Sequence, residues 1–197
     1  MQTLKKEVKE SILKAGIQEF YEKGFLGASM RNIAFRSNVS VGNVYRYFQN
    51  KERLFEEIAR PFFQELKNLF DSPTESKFKS LSLQKALVIL KEHFIPLIIQ
   101  NRKLLIILYD RSEGTPYAEF KEIWTNLISK QFCHYISIYN QKFPNLPFDE
   151  RIALPAATSF LEGIIQIARD YESPEDINNL TLEFIRLYFY WSITKEE

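Results

Sequence analysis

Between residues 40 and 47 the chain places small, polar and cationic side chains on consecutive positions of what reads as a short helix. Asn43 carries an amide that can bond an adenine edge at two points, and Val41 offers a methyl surface to a thymine methyl. Gly42 has no side chain to hold another surface away. Arg46 suits a guanine edge, a phosphate or plain solvent. Base reading is therefore expected from Val41, Gly42, Asn43 and Val44. A short helix presenting such residues outward, held by a partner helix, is the geometry that enters a DNA major groove.

Such a helix must be positioned, and the flanking residues supply the means. Met30, Ile33 and Ala34 lie at the i, i+3, i+4 spacing of one buried stripe. Ser37-Asn38-Val39 is a corner: Asn tolerates the left-handed conformation of a sharp turn, and Val39 can fill the angle. Ser29 and Ser40 stand where N-caps would, each able to take a free backbone N–H. Val44 also lies four residues before Phe48, which can turn it to the core. A first helix over 3–23 buries Val8, Ile12, Ala15 and Phe20, and Gly24 ends it. Asn50 caps a helix beginning at Lys51, with Leu54, Phe55 and Ile58 inward. Pro61 lies inside that helix and is expected to kink or break it and to mark a joint.

From Ile12 to Ile58, about a quarter of the chain, the sequence resembles the DNA-binding domain of the TetR family of bacterial transcriptional regulators. The matching residues are Ile12, Ala15, Phe20, Gly24-Phe25, Ser29, Ile33-Ala34, Val39-Ser40, Gly42, Tyr45, Tyr47-Phe48, Lys51 and Leu54-Phe55. Asn38 stands where the family usually has Gly in the turn. The resemblance implies that Ser29, Ser40, Tyr45, Tyr47 and Lys51 touch the DNA backbone, where hydroxyls and an ammonium near helix N-termini suit phosphate oxygens.

Charge agrees with such a division of labour. The net charge of +1 excludes a generally basic nucleic-acid coat. Residues 1–60 nevertheless carry +4 and residues 61–197 carry −3, so the basic excess lies with the reading helices. With 45% hydrophobic and 15% aromatic residues the chain can bury a large core. The single Cys133 cannot form an internal disulfide, which suits a reducing cytoplasm. No stretch has the length of a membrane span or the core of a signal peptide, so a cytoplasmic protein with no membrane partner is expected.

The remaining chain reads as helices throughout. Asp71 to Lys79 is loop-like, and Leu83, Leu87, Leu90, Phe94 and Leu97 repeat at helical spacing, with Pro96 bending or ending that helix. Residues 103–109, apolar all round, are expected to be a buried helix. Thr115-Pro116 reads as the start of a long helix that stops before Pro144. In the last helix Ile177, Leu180, Phe184, Leu187 and Trp191 form one stripe, while Leu182, Ile185, Phe189 and Ile193 form another. In the helix before it, over about 149–171, Leu154, Leu161, Ile165 and Ala168 cover one side, and Ala156, Ser159 and Gly163 make a small-residue groove. Two helices apolar on two sides suit either a second subunit or a buried hairpin in a monomer. The resemblance favours a homodimer, because TetR-like proteins pair through their last two long helices. Leu161, Gly163, Ile165, Phe184, Leu187 and Trp191 are the expected interface.

Residues 61–197 hold 21 of the 29 aromatic side chains. Most belong to a core; the resemblance further implies a cavity for an apolar or aromatic small-molecule effector. Its expected wall is Phe94, Ile98, Tyr109, Trp124 and Phe160, with His93 or Tyr109 as a polar contact. No phosphate loop, nucleophile elbow or HExxH occurs. His93 and His134 lack metal-ligand spacing and Cys133 lacks a flanking base. Neither an enzyme nor a metal or other cofactor is expected. The whole reads as an all-α protein, with a helix-turn-helix domain over 1–50 and an effector-binding and dimerisation domain over 51–197. The expected function is a ligand-responsive repressor on palindromic double-stranded operator DNA. The alternative is a helical adaptor whose helix-turn-helix docks on a protein.

Overall fold

The computed structural model describes the backbone of residues 2–71 and 88–193 and the side chains of 5–69 and 88–188. Among the described residues every regular element is a helix. In chain order these are α1 (Gln2–Gly27), α2 (Met30–Arg36), α3 (Val41–Tyr47) and α4 (Lys51–Asp71). After them come a π-turn (Leu90–Phe94) running into α5 (Ile95–Gln100), α6 (Arg102–Asp110), α7 (Phe120–Lys142), α8 (Ala153–Asp170) and α9 (Pro174–Ile193). The loop expected from Asp71 lies outside the described residues except for Asp71 itself, which ends α4. Leu83 and Leu87 also lie outside them. The chain divides into two compact units, Met1–Glu65 with Lys103–Lys121 and Leu66–Arg102 with Glu122–Glu197. Compactness therefore divides the chain differently from the boundary expected at residue 50.

In the first unit, Ile12, Ala15 and Phe20 are buried as their spacing predicts. Gly24 interrupts α1 with φ 67° and ψ 171°, a left-handed conformation that costs glycine nothing. Phe25, just past the break, meets Phe55 of α4 at 5.2 Å between ring centroids, and Phe20 meets Phe55 at 5.0 Å. Edge-to-face geometry at these distances adds to the area the rings bury. Pro61 does not break α4, which runs unbroken from Lys51 to Asp71; the division between units falls later, between Glu65 and Leu66. Leu105 to Tyr109 in α6 are all buried, so the apolar run is the interior helix its sequence predicts.

The helix expected to open at Thr115 begins instead at Phe120. Thr115 Oγ1 donates to Ser112 O at 2.7 Å and accepts from Tyr117 N at 3.0 Å. The hydroxyl that would cap a helix closes a local turn, the competition that Ser and Thr offer the backbone.

In the second unit Pro96 is absorbed and does not terminate a helix. The wider π-turn before it closes with Ile95 N donating to Leu90 O, so the ladder changes register where proline lacks its N–H. Ser173 accepts from Asp176 N at 3.3 Å and starts α9 as its Ser-Pro-Glu-Asp sequence predicts. Helices α8 and α9 pack through Phe160 and Gly163 against Phe184 and Tyr188, and Leu161, Ile164 and Ile165 of α8 and Ile177 and Ile185 of α9 are buried as well. Phe160 forms the hub of a ring cluster, 6.0 Å from Phe132, 5.8 Å from Phe184 and 5.1 Å from Tyr188. The buried Arg102 guanidinium donates to Ala168 O at 2.6 Å and Arg169 O at 3.2 Å, satisfying the C-terminal carbonyls of α8. No helix among the described residues is long and apolar enough to cross a membrane.

Candidate nucleic-acid interface

Helix α3 is held by its caps and by a single buried contact. Ser40 Oγ accepts from Asn43 N at 3.3 Å, and Ser29 does the same for α2, accepting from Asn32 N at 3.1 Å. Between the helices Asn38 takes φ 53°, the left-handed corner expected of it, and Val39 N donates to Ala34 O at 3.0 Å. Met30, Ile33 and Ala34 are buried beneath α2. Asn50 then caps α4, accepting from Arg53 N at 2.8 Å.

The reading positions separate on this frame. Ser40, Val41, Gly42, Tyr45 and Arg46 are exposed, and Asn43 and Tyr47 are half-buried. Nothing lies within 4 Å of where a Cβ on Gly42 would be, so a DNA surface can approach its backbone closely. Tyr45 is 49% exposed, so its ring is not part of the core and its hydroxyl is free to reach a DNA backbone. Val44 must be corrected: it is 0% exposed, and its place four residues before Phe48 turns it inward. It holds α3 to the core and cannot reach a base edge.

Two features of the interface were not legible from the spacing. One is Glu19, fully buried on α1. Its Oε1 accepts from Ser29 N at 3.3 Å and Asn32 Nδ2 at 2.9 Å, and its Oε2 accepts from Arg36 Nε at 2.9 Å. A carboxylate with these partners fixes both ends of α2, and at the N-terminal end it also meets the favourable pole of the helix dipole. Arg36 reaches on to Glu22 as well, which raises the Arg36 pKa, while hydrogen bonds from Gln18 first and Arg36 second lower that of Glu22. The available signal was that Glu19 follows Ala15 by four residues and so shares its buried face. The other is Lys51, whose Nζ donates to Ala28 O and Leu26 O within the protein.

The expected effector wall is divided between the units. Phe94, Ile98, Trp124 and Phe160 are buried in the second unit, but Tyr109 is buried in the first. His93 is exposed, on the solvent side of the π-turn, and is unsuited to an enclosed polar contact. A groove of about 600 Å³ lies in the first unit, lined by Phe25, Phe55, Phe63 and Tyr117 with Glu52, Glu56 and Arg60 at its edge. None of the expected wall residues lines it. Burial and donation to Glu56 at 3.0 Å push the Tyr117 phenol up to about 12, so it stays protonated there.

The expected dimer residues divide too. Leu161 and Ile165 are buried within the chain itself and present no surface to a second subunit. Gly163 faces the Phe184 ring of the same chain, which leaves no room for a side chain. Ile177 joins Ile185 on the buried face of α9, whereas Leu187 is 71% exposed, so the single expected stripe splits. Leu154, expected on the side of Leu161, is exposed. The Trp191 side chain lies outside the described ones.

Residues 12–58 match the family model described as bacterial regulatory proteins, tetR family. An uncharacterized HTH-type transcriptional regulator of Bacillus subtilis (strain 168), YhgD, is 36% identical over 67 residues, 34% of this chain and 35% of that protein. The HTH-type transcriptional repressor DhaR of Mycobacterium sp. (strain GP1) is 28% identical over 68 residues, 34% of each chain. These matches span about a third of the relatives' length. Over the whole fold, the crystal structure of the Pseudomonas aeruginosa repressor MexZ is similar with a TM-score of 0.58 and 22% identity, covering 93% of both chains.

Proposed function

We infer a function for a chain that, by its N-terminal domain, belongs to the TetR family of bacterial transcriptional regulators, which are not enzymes. It is a cytoplasmic repressor that binds a palindromic operator as a homodimer and is released by a small apolar or aromatic effector. Residues 1–50 serve DNA and the remainder serves dimerisation and effector binding. The observation that carries the reading is α3 itself: one side is anchored by Val44, and Val41, Gly42, Tyr45 and Arg46 are exposed on the others. That division suits insertion into a major groove, with Asn43 and Val41 toward base edges and Ser29, Ser40 and Tyr47 toward phosphates.

Selection from random double-stranded DNA tests it. A palindrome with half-sites about one helical turn apart is expected, because two symmetry-related α3 helices must reach successive major grooves. Asn43→Ala should change the preferred base at one position by about 1–3 kcal/mol, leaving affinity for unrelated DNA nearly constant. Enrichment of no palindrome would remove the reading. For the dimer, Leu187→Glu puts a charge on an exposed apolar position of α9. Sedimentation should show the wild type as a dimer and the variant shifted toward monomer. For release, operator affinity is compared with and without a ligand independently shown to bind. Coupling of about 1–3 kcal/mol is expected, and operator DNA must weaken ligand binding by the same factor.

A further inference from the structure

The groove of about 600 Å³ has no part in the proposed reading of DNA, and every residue that lines it belongs to the first unit. Its volume lies in the range of small-molecule sites, about 300–1,000 Å³. Phe25, Phe55 and Tyr117 are buried and Phe63 is half-buried, and their rings form one continuous wall. Phe25 lies 5.2 Å from Phe55, Phe55 lies 6.0 Å from Tyr117, and Tyr117 lies 5.1 Å from Phe63. The half-buried Glu56 carboxylate stands beside that wall, its Oε2 accepting from Tyr117 Oη at 3.0 Å. The neighbouring hydroxyl donors are spent, Tyr117 Oη on Glu56 and Thr115 Oγ1 on Ser112 O. Arg60 Nε approaches the second Glu56 oxygen at 3.9 Å, but its side chain is 65% exposed, and such a pair is weak. Glu52 and Arg53 are exposed at the edge and offset each other in charge.

We propose that this groove binds a bulky aromatic cation, with Glu56 as its counter-charge and the Phe63 and Tyr117 rings as its walls. An aromatic face attracts a cation through its quadrupole, most strongly when the cation sheds water. The attraction is already present at the Phe25 ring, where Lys51 Nζ stands 4.6 Å from the centroid. A carboxylate that accepts from one phenol keeps lone pairs for a second partner. A cation enclosed by rings meets that charge at a lower effective dielectric than the solvated Arg60 does. An anion of the same shape would meet Glu56 and the negative ring faces, with the hydroxyl donors of the wall already spent. Its attractions would be to the exposed Arg53 and Arg60 alone.

The proposal stands apart from operator binding, so no DNA enters its test. Tetraphenylphosphonium and tetraphenylborate share size and shape and differ in the sign of their charge, which makes them the probes. Full-length wild type is titrated with each by calorimetry. The phosphonium is expected to bind saturably and the borate at least about tenfold more weakly. Glu56→Gln keeps an acceptor for Tyr117 and removes the charge, so it should weaken the phosphonium about tenfold and leave the borate no weaker. Glu57→Gln makes the same change in net charge one residue away, outside the groove lining, and should leave both affinities as in the wild type. Borate bound as tightly as phosphonium would overturn the proposal. So would absence of phosphonium binding, or equal phosphonium affinity in Glu56→Gln and wild type. A measurement on the wild type alone needs no variant to fold. Nuclear Overhauser contacts are expected between the phosphonium ring protons and those of Phe63 and Tyr117. Phosphonium bound without those contacts would place its site elsewhere and end the claim for the groove.

Discussion

The two compact units are organised around different contacts, although each buries a hydrogen-bonded charge, Glu19 in the first and Arg102 in the second. In the first, the fully buried Glu19 carboxylate accepts from a backbone N–H, an amide and a guanidinium, all on α2 or its cap. In the second, Thr181 Oγ1 and His134 Nε2 are buried without a hydrogen-bond partner, and the organising contacts are rings around Phe160. Directional bonds set an angle; ring packing fills a volume and tolerates adjustment. A unit that must present α3 at one angle is thus fastened by hydrogen bonds. A unit whose proposed task is to accommodate an effector is held by shape and area.

Substitutions that remove one fastening at a time sharpen this contrast. Phe160→Ala should have the largest effect, about 3–5 kcal/mol of stability by denaturant unfolding, because the hub of the ring cluster is lost with a cavity in its place. A loss under about 1 kcal/mol would show that the second unit does not depend on its rings. Glu19→Ala comes next, at roughly 3 kcal/mol, since it strands donors that had a buried charged acceptor. If the first unit were held chiefly by apolar area, that change would measure no more than a surface substitution. Operator affinity should fall with it even under conditions where the protein stays folded.

Gly163→Ala is expected to cost about 1–3 kcal/mol, because its methyl would run into the rigid Phe184 ring between α8 and α9. Gly16→Ala in the first unit meets only the movable ends of Ile58 and Leu54, and the helix gains alanine's propensity. Its expected change is within about 1 kcal/mol, so equal melting-temperature shifts for the two variants would contradict the packing described. The smallest effect is Thr181→Val. Replacing an unpaired buried hydroxyl by a methyl of the same shape should be neutral or stabilising by up to about 1 kcal/mol. Destabilisation on calorimetry would mean that the hydroxyl has a partner in solution, and the contrast between the units would weaken.

Much of the reading head was legible because its signals are local. A serine before a helix, an asparagine at a corner and apolar residues three and four apart act within one or two turns. Ser29, Ser40, Asn38, Met30, Ile33 and Ala34 accordingly stand as their spacing predicts. The same locality explains Ser173 and the buried run at 105–109. Val44 shows the limit, since it belonged to two patterns at once and only the packing of Phe48 and α3 decided between them.

What the sequence determined by itself is the all-α fold and the helix-turn-helix with its likeness to a known family's DNA-binding domain, because helices and corners depend on periodicity and caps that neighbouring residues complete. What the tertiary structure decided is every question of facing. Leu161 and Ile165 turned inward while Leu187 and Leu154 turned out, although all four have the same chemistry. Glu19 and Lys51 found partners on other elements, and Thr115 spent its hydroxyl on a turn instead of a helix. Apolar residues state only that they prefer burial, and charged ones only that they need a partner. Which surface buries the one and which group satisfies the other is fixed when helices distant in the chain are packed together.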